Sequence, residues 1–192
     1  MSVAAAGVIK HNHSINLANM VIILHDLVIM PRTPFRVLFV CLGNICRSPA
    51  GENILRHLIK EAGLEQGIEI DSAGTHDYHP GKAPDKRMTL ALKKRGITNI
   101  GKGRQFTAHD FFDFDLIIVM DSENLENVRR LDPEGSYMHK VRRMTEFCTG
   151  EDFQIPDVPD PYYGGEEGFE FVTNLLLDGC RGVLEHIQSV SQ

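Results

Sequence analysis

The chain lacks the cysteine patterns of a zinc site or of a disulfide-linked scaffold. Its four cysteines, Cys41, Cys46, Cys148 and Cys180, form no C-x-x-C pair and no Cys/His spacing of the structural zinc type. Four cysteines in 192 residues are also few for a protein held together by disulfides. The sequence therefore predicts a protein of the reducing cytoplasm.

Long apolar runs and an excess of basic residues are absent as well. No stretch approaches the roughly 18 consecutive apolar residues of a membrane span. Twenty Lys and Arg against 26 Asp and Glu give a net charge of −6, whereas general nucleic-acid binding needs a basic surface. We therefore expect neither a membrane nor a nucleic acid as partner, although a small basic pocket for an anion remains compatible with this charge.

The composition is that of a globular chain, with 42% hydrophobic and 24% charged residues. Residues 1–34 differ from the rest, since their only formal charges are Lys10, Asp26 and Arg32. We interpret 1–34 as an N-terminal extension, either disordered or the product of an over-long gene prediction, and 35–192 as the functional domain. A targeting role is the alternative, but the basic start and unbroken apolar stretch of a signal peptide are missing.

From residue 35 onward, strand patterns alternate with helix patterns. Strands are predicted at 35–41, 68–71, 116–120 and 140–144, and helices after residue 48, at 84–95, from 121 or 122 to about 131, and at about 166–189. Ser72-Ala73-Gly74 is predicted as a turn, and 149–165 as a long loop. This order predicts a single doubly wound α/β domain, with a four-stranded parallel sheet and helices on both faces. Ligands of such sheets bind at the carboxyl ends of the strands.

The segment Cys41-Leu-Gly-Asn-Ile-Cys-Arg-Ser-Pro49 places a cysteine at the end of the first strand and an arginine at the start of a helix. Inward-pointing N–H groups of such a loop, together with the helix N-terminus, bind anions. Arg47 would add a fork of donors that matches two phosphate oxygens. Gly43 and Asn44 are residues that tolerate left-handed backbone angles. The sequence thus predicts a phosphate-binding loop at the first strand–helix turn.

The same donors would stabilise a thiolate at Cys41, and Ser48 could donate its hydroxyl to that sulfur. A thiolate at the base of an oxyanion site is equipped to attack phosphorus. The Gly-x-Gly-x-x-Gly and Walker patterns of nucleotide sites are absent. Attack on a phosphate ester also needs an acid for the leaving group. Asp160 and Asp157 both lie in the long loop, and spacing alone does not choose between them.

The Cys41–Pro49 segment and Asp160-Pro-Tyr-Tyr163 together resemble the low-molecular-weight protein tyrosine phosphatase family. Asp71-Ser-Ala-Gly-Thr75, Arg104-Gln105 and Met120-Asp121 are also similar to the family pattern, and the resemblance covers about residues 35–190. It implies hydrolysis of aryl phosphate monoesters through a phosphocysteine on Cys41, with no metal and no cofactor. Its expected partners are a phosphotyrosine-containing protein or a small aryl phosphate, and its expected state is a monomer or weak dimer.

The resemblance also implies residue roles. Arg47 would bind the phosphate, and Asp160, rather than Asp157, would protonate the departing phenolate and then activate water. Asn44 and Ser48 would hold the loop and orient the sulfur. The phosphate-binding loop would comprise Leu42, Gly43, Asn44, Ile45, Cys46 and Ser48, and the wall of the aromatic pocket Tyr78, Tyr162, Leu42 and Ile45. Cys46 would form a reversible disulfide with Cys41 under peroxide; otherwise it is a small buried thiol.

Two departures from the family pattern are visible. Gly101 stands where some members carry a histidine that supports the loop Asn and Ser, and Tyr78 stands where a Trp is common. Cys148 has no matching role, and Cys180 is expected in the core.

Residues in the sequence argue against three alternative functions. Thiol-linked arsenate reductases share the loop but need further cysteines after the third strand, and none occurs between Cys46 and Cys148. In protein-arginine phosphatases a Thr tends to replace Ile45, and the tyrosine pair is lost. A phosphate-binding module without catalysis would need neither a nucleophile nor an acid.

Overall fold

Strand β1, Phe35–Cys41, lies inside a sheet because its residues from Val37 onward are apolar on both faces. Val37, Phe39 and Cys41 join the core cluster on one face, whereas Leu38 and Val40 join the cluster on the other. Such a strand is stable only where both of its faces are covered. The structure, a computed structural model, describes residues 33–190. Strand β1 is therefore the central element of this part of the chain.

The sheet has four parallel strands in the order β2-β1-β3-β4, where β2 is Ile68–Gly74, β3 is Leu116–Val119 and β4 is Val141–Arg143. The helices are α1 (Arg47–Ala62), α2 (Lys86–Lys93), α3 (Asp110–Asp113), α4 (Ser122–Arg130) and α5 (Glu166–Val190). Short 3₁₀ turns occupy Met138–Lys140, Met144–Phe147, Glu151–Phe153 and Pro161–Tyr163.

Helices cover both faces of the sheet. Ile54 of α1, Met88 of α2 and Leu176 of α5 are fully buried in one core cluster. Phe111 of α3 and Val128 of α4 are buried in the cluster on the opposite face. The predicted doubly wound α/β domain with a four-stranded parallel sheet is thus confirmed. The interpretation of 1–34 as an extension falls almost entirely outside the described residues.

The predicted turn at Ser72-Ala73-Gly74 is wrong. These residues are the end of β2, where they pair with Phe39, Val40 and Cys41 of β1. Ladder hydrogen bonds to the central strand outweigh the turn preference of small residues. Gly74 is required by space, since a Cβ there would lie 2.9 Å from the Leu42 carbonyl oxygen.

The other predicted elements differ from the observed ones mainly at their ends, whereas helix α3 was not predicted. Helix α1 ends at Gly63, whose φ of 68° is the left-handed conformation predicted for a glycine C-cap. Asp121 is the N-cap of α4 and accepts a 2.7 Å hydrogen bond from the Asn124 N–H. Cys180 is fully buried in the core, as expected. No helix between residues 33 and 190 is long and apolar enough to cross a membrane.

Candidate active site

The loop from Leu42 to Cys46 connects the carboxyl end of β1 to the first turn of α1. The Cys41 carbonyl accepts the Thr75 N–H at 2.8 Å, and the Leu42 carbonyl accepts the His76 N–H at 3.0 Å. These bonds extend the pairing between β1 and β2 past the end of the sheet. The start of the loop is therefore held by the neighbouring strand.

The Cys41 sulfur contacts a hydroxyl of the helix that follows the loop. Its Sγ lies 3.0 Å from Ser48 Oγ, where either atom could be the donor. Ser48 Oγ also lies 3.1 Å from the Ala73 carbonyl oxygen, which can only accept. The single hydroxyl proton of Ser48 can therefore go to the sulfur or to Ala73. Cys41 and Ser48 are both buried beneath the loop.

Asn44 holds the loop by three hydrogen bonds. Its Nδ2 donates to Ser48 Oγ at 2.9 Å and to Ser72 Oγ at 3.0 Å, and its Oδ1 accepts the Arg104 N–H at 2.9 Å. Its φ of 54° is left-handed, as its residue type suggested. Gly43, by contrast, is not left-handed, so that part of the prediction is wrong. A Cβ on Gly43 would lie 3.1 Å from His79 Cδ2, so a larger residue here would have to displace the His79 ring by a few tenths of an ångström.

Glu52 provides support that the sequence did not reveal. Its Oε2 accepts the Ser72 hydroxyl at 2.7 Å, and Ser72 in turn accepts from Asn44. Gly101, where the supporting histidine was missing, lies alongside, since a Cβ there would be 4.0 Å from Glu52 Oε2. Burial raises the pKa of Glu52, against the hydrogen bonds from Ser72 and Arg56 that lower it. In this chain the Glu52 carboxyl group therefore supports Asn44 of the loop through the Ser72 hydroxyl.

Arg47 is buried at the start of α1 and pairs with two carboxylates. Nη1 donates to Asp121 and, at 3.1 Å, to the Val158 carbonyl, and Nη2 donates to Asp160 Oδ2 at 2.9 Å. Burial alone would lower the pKa of Arg47, but the negative charges of Cys41, Asp160 and Asp121 outweigh it and raise that pKa. The guanidinium therefore stays charged and its orientation is fixed.

The two candidate acids lie in different surroundings. Asp160 lines the cleft, pairs with Arg47 and accepts the Tyr162 N–H at 3.0 Å. Asp157 accepts the Ser122 hydroxyl at 2.9 Å and does not line the cleft. The geometry thus separates two carboxylates that spacing could not.

These groups surround a cleft of about 290 Å³. It is lined by Cys41, Leu42, Gly43, Ile45, Cys46, Arg47, Tyr78, His79, Asp160, Tyr162 and Tyr163. Tyr78 and Tyr162 were predicted as walls, whereas His79 and Tyr163 were not. The Tyr78 ring stacks on His76 with centroids 4.9 Å apart. The cleft therefore has exposed tyrosines at the surface and the buried, charged Arg47 at its base.

Cys46 lies in the same cleft and is almost fully buried. Burial raises its pKa, and the charges of Asp85, Cys41 and Asp160 raise it further. Cys46 is therefore a protonated thiol at neutral pH.

Within the described part of the chain, no three His, Cys, Asp or Glu side chains are grouped so as to hold a metal ion.

Sequence reasoning missed Asp121 as a partner of Arg47, although it had placed this residue at a helix cap. The available signal was its position directly after β3, because the carboxyl ends of parallel strands share one edge of the sheet. His79 gave no comparable signal, because its place in the cleft depends on how residues 75–82 cross Gly43.

Known proteins are similar to this chain in sequence and in fold. The family model described as low molecular weight phosphotyrosine protein phosphatase matches residues 36–192. A Synechocystis protein that carries this family's name is 53% identical over 149 residues, which cover 78% of this chain and 94% of that protein.

Solved structures agree with the sequence match. A protein tyrosine phosphatase from Entamoeba histolytica, with Hepes in its active site, superposes with a TM-score of 0.77 at 39% identity, covering 82% of this chain and 99% of that one. A Drosophila arginine phosphatase superposes with a TM-score of 0.71 at 34% identity, covering 79% and 96%. The chain therefore belongs to the low molecular weight phosphotyrosine protein phosphatase family of enzymes.

Proposed function

We propose that this enzyme hydrolyses phosphotyrosine in proteins, and small aryl phosphates, through a phosphocysteine on Cys41 and without a metal. One observation carries the proposal: Cys41, Arg47 and Asp160 line a single cleft, with the Ser48 hydroxyl 3.0 Å from the Cys41 sulfur. Their side chains come from the end of β1, the start of α1 and the loop before α5. A site that only binds phosphate needs neither a nucleophile nor an acid.

The phosphoryl group would bind in the loop between β1 and α1. The N–H groups of the loop and of the first turn of α1 are the donors available to its oxygens. Arg47 contributes a fixed guanidinium, whose charge its carboxylate partners maintain. We assign this binding to Leu42, Gly43, Asn44, Ile45, Cys46 and Ser48, together with Arg47.

In the first step the Cys41 thiolate would attack phosphorus. The S–P bond forms as the bond from phosphorus to the phenolic oxygen breaks, and the Asp160 carboxyl gives its proton to that oxygen. Asp160 lies 2.9 Å from Arg47, so an acid stands beside the cation that would hold the phosphoryl group. The products of this step are a phenol and phosphocysteine.

In the second step the Asp160 carboxylate would take a proton from water as the water oxygen attacks phosphorus. The S–P bond breaks and inorganic phosphate leaves. The electron pair returns to the Cys41 sulfur, and a hydrogen bond from the Ser48 hydroxyl would stabilise the resulting thiolate. Asn44 supports this step because its Nδ2 donates to Ser48 Oγ, which leaves the hydroxyl proton free to face the sulfur or Ala73.

An aromatic leaving group fits the walls of the cleft. Tyr78, Tyr162, Leu42 and Ile45 all line the cleft and supply aromatic and apolar surface. A planar ring can stack on such walls while its phosphate reaches the charged base. The pair Tyr162-Tyr163 and the residue Ile45 are the features that favour a tyrosine ester over phosphoarginine.

The test is a substrate panel of phosphotyrosine, phosphoarginine and phosphoserine peptides together with arsenate. We expect the highest kcat/KM for phosphotyrosine, and a higher value for phosphoarginine would overturn the substrate assignment. Cys41→Ser should abolish hydrolysis while it retains phosphate binding, which calorimetry would measure. Appreciable turnover by that variant would exclude the phosphocysteine.

The proposal assigns catalysis to residues 35–192. It is supported by the family match, which begins at residue 36. The cytoplasmic location and the monomeric or weakly dimeric state stay predictions.

A further inference from the structure

Arg87 lies in the first turn of α2, next to the cleft but not in its lining. Its Nε and Nη2 donate to the Asp85 carboxylate at 3.1 and 2.9 Å, and its Nη1 donates to the Tyr162 carbonyl at 2.9 Å. The guanidinium also lies over the rings of Tyr162 and Phe169, with centroids 5.1 and 4.7 Å away. One cation therefore connects α2, α5 and the segment that follows Asp160.

Asp85 fixes this guanidinium relative to the loop between β1 and α1. Its backbone N–H donates to the Ile45 carbonyl at 2.8 Å, and its carboxylate caps α2 by accepting the Arg87 N–H at 2.8 Å. Burial alone would raise the pKa of Asp85, but the hydrogen bonds and charge of Arg87 lower it. The Asp85–Arg87 pair therefore stays ionised, and its place is fixed relative to Ile45.

The backbone of Tyr162 connects Arg87 to Asp160. The Tyr162 carbonyl accepts from Arg87, while its N–H donates to Asp160 Oδ1 at 3.0 Å. On the other side of Asp160, the Val158 N–H donates to the Met120 carbonyl at 2.8 Å. After the tyrosines the chain continues as Gly164-Gly165, which has no side chains to hold the segment. Arg87, together with the buried Pro161, thus holds the part of this segment that follows Asp160.

We propose that Arg87 is a positioning residue for Asp160, which it acts on through Tyr162. This inference rests on the proposed function, because it matters only if Asp160 is the acid and base. Without Arg87, Cys41 keeps its contact with Ser48, and Arg47 keeps those with Asp121 and Val158. The Asp160 carboxyl keeps its contact with Arg47 but loses the fixed position of the Tyr162 N–H, so it is less well placed near the leaving oxygen. Misplacement of a catalytic group by about 1 Å can slow a reaction by as much as 10²-fold.

The test compares two aryl phosphates whose leaving groups differ in basicity. Phenyl phosphate needs a proton on its departing oxygen, whereas 2,4-dinitrophenyl phosphate does not. For Arg87→Ala we expect kcat/KM to fall by about tenfold or more on phenyl phosphate. On the dinitrophenyl ester it should change by less than about threefold, because proton delivery does not contribute there. Arg87→Lys, which can still reach the Tyr162 carbonyl, should recover part of the loss.

Arg95→Ala is the matched control. Arg95 also connects the α2 region to α5, through Glu170 at 2.8 Å and Asn174 at 2.6 Å, but it makes no contact with Tyr162. This variant should leave both kcat/KM values unchanged. If Arg87→Ala lowers kcat/KM equally on both esters, or changes neither, the positioning role is excluded.

Asp160→Asn, measured in parallel, separates this inference from the proposed function. If Asp160→Asn shows the leaving-group dependence and Arg87→Ala does not, only the role of Arg87 fails. If Asp160→Asn shows no such dependence, the acid itself has been assigned wrongly. The double variant should be no slower on phenyl phosphate than Asp160→Asn alone, since there would be no acid left to position.

Discussion

Arg47 and Asp160 are in direct contact, with Nη2 of the guanidinium 2.9 Å from Oδ2 of the carboxylate. The group proposed to hold the phosphoryl oxygens and the group proposed to protonate the leaving oxygen therefore meet at one point of the cleft. Nothing within either local sequence motif specifies this contact, because 113 positions separate the two residues. It leads directly to the first prediction.

Asp160→Ala should slow the hydrolysis of phenyl phosphate by about 10²- to 10⁴-fold, the usual contribution of a positioned acid. Asp157→Ala is the matched control, since Asp157 bonds to Ser122 and does not line the cleft. Steady-state kinetics of both variants decide between the two carboxylates. A larger loss in Asp157→Ala would move the acid role to that residue.

Replacements of Asn44 should separate its backbone conformation from its hydrogen bonds. Asn44→Gly and Asn44→Ala both remove the donor to Ser48 and Ser72, so both should lose activity. Only Asn44→Ala also forces a left-handed φ on a residue with a Cβ, which costs about 1 kcal/mol. Urea unfolding should therefore find Asn44→Ala the less stable of the two. Equal free energies of unfolding would contradict this account.

Peroxide should inactivate the enzyme reversibly. Peroxide would oxidise the Cys41 thiolate to a sulfenic acid, which the Cys46 thiol would attack with release of water to form a disulfide. A reducing thiol would then restore both cysteines. Cys46→Ser should recover less activity than the wild-type enzyme after the same treatment, because the sulfenic acid can then be oxidised further.

Cys148→Ser is the control for that experiment. Cys148 does not line the cleft, and its sulfur contacts the Met144 and Leu175 carbonyls instead, so it is not placed to react with Cys41. Its replacement should leave recovery unchanged. Equal recovery in Cys46→Ser and the wild-type enzyme would remove the protective role of Cys46.

Glu52 should make stability depend on pH. Burial raises its pKa in the folded state, so the folded protein binds this proton more tightly than the unfolded chain does. Its contribution to stability is fully present below the unfolded pKa of roughly 4.3 and is lost as pH rises through the folded pKa. The free energy of unfolding of the wild-type protein, relative to that of Glu52→Gln, should therefore fall as pH rises. The total fall should be about 1.4 kcal/mol for each unit by which folding raises the pKa. Urea unfolding between pH 4 and 7 measures it. A difference that stays constant or grows with pH would refute the assignment.

The alternation of strands and helices could be predicted because each of these elements depends on residues that are neighbours in the chain. The apolar run of β1 and the glycine that ends α1 are local patterns, and both were predicted correctly. The error at Ser72-Ala73-Gly74 has a non-local cause, since small residues typical of a turn are held as strand by pairing with β1.

The residues of the candidate site likewise fall into those that local sequence indicated and those that only tertiary contacts bring in. The residues from Cys41 to Ser48 are consecutive, so their types and spacing were enough to indicate an anion-binding loop with a thiol at its base. Asp121, His79 and Arg87 reach that loop from segments far away in sequence, and Glu52 of α1 reaches it through Ser72 of β2. Those contacts exist only because parallel strands bring their carboxyl ends to one edge of the sheet, and because helix packing brings α2 and α5 against it.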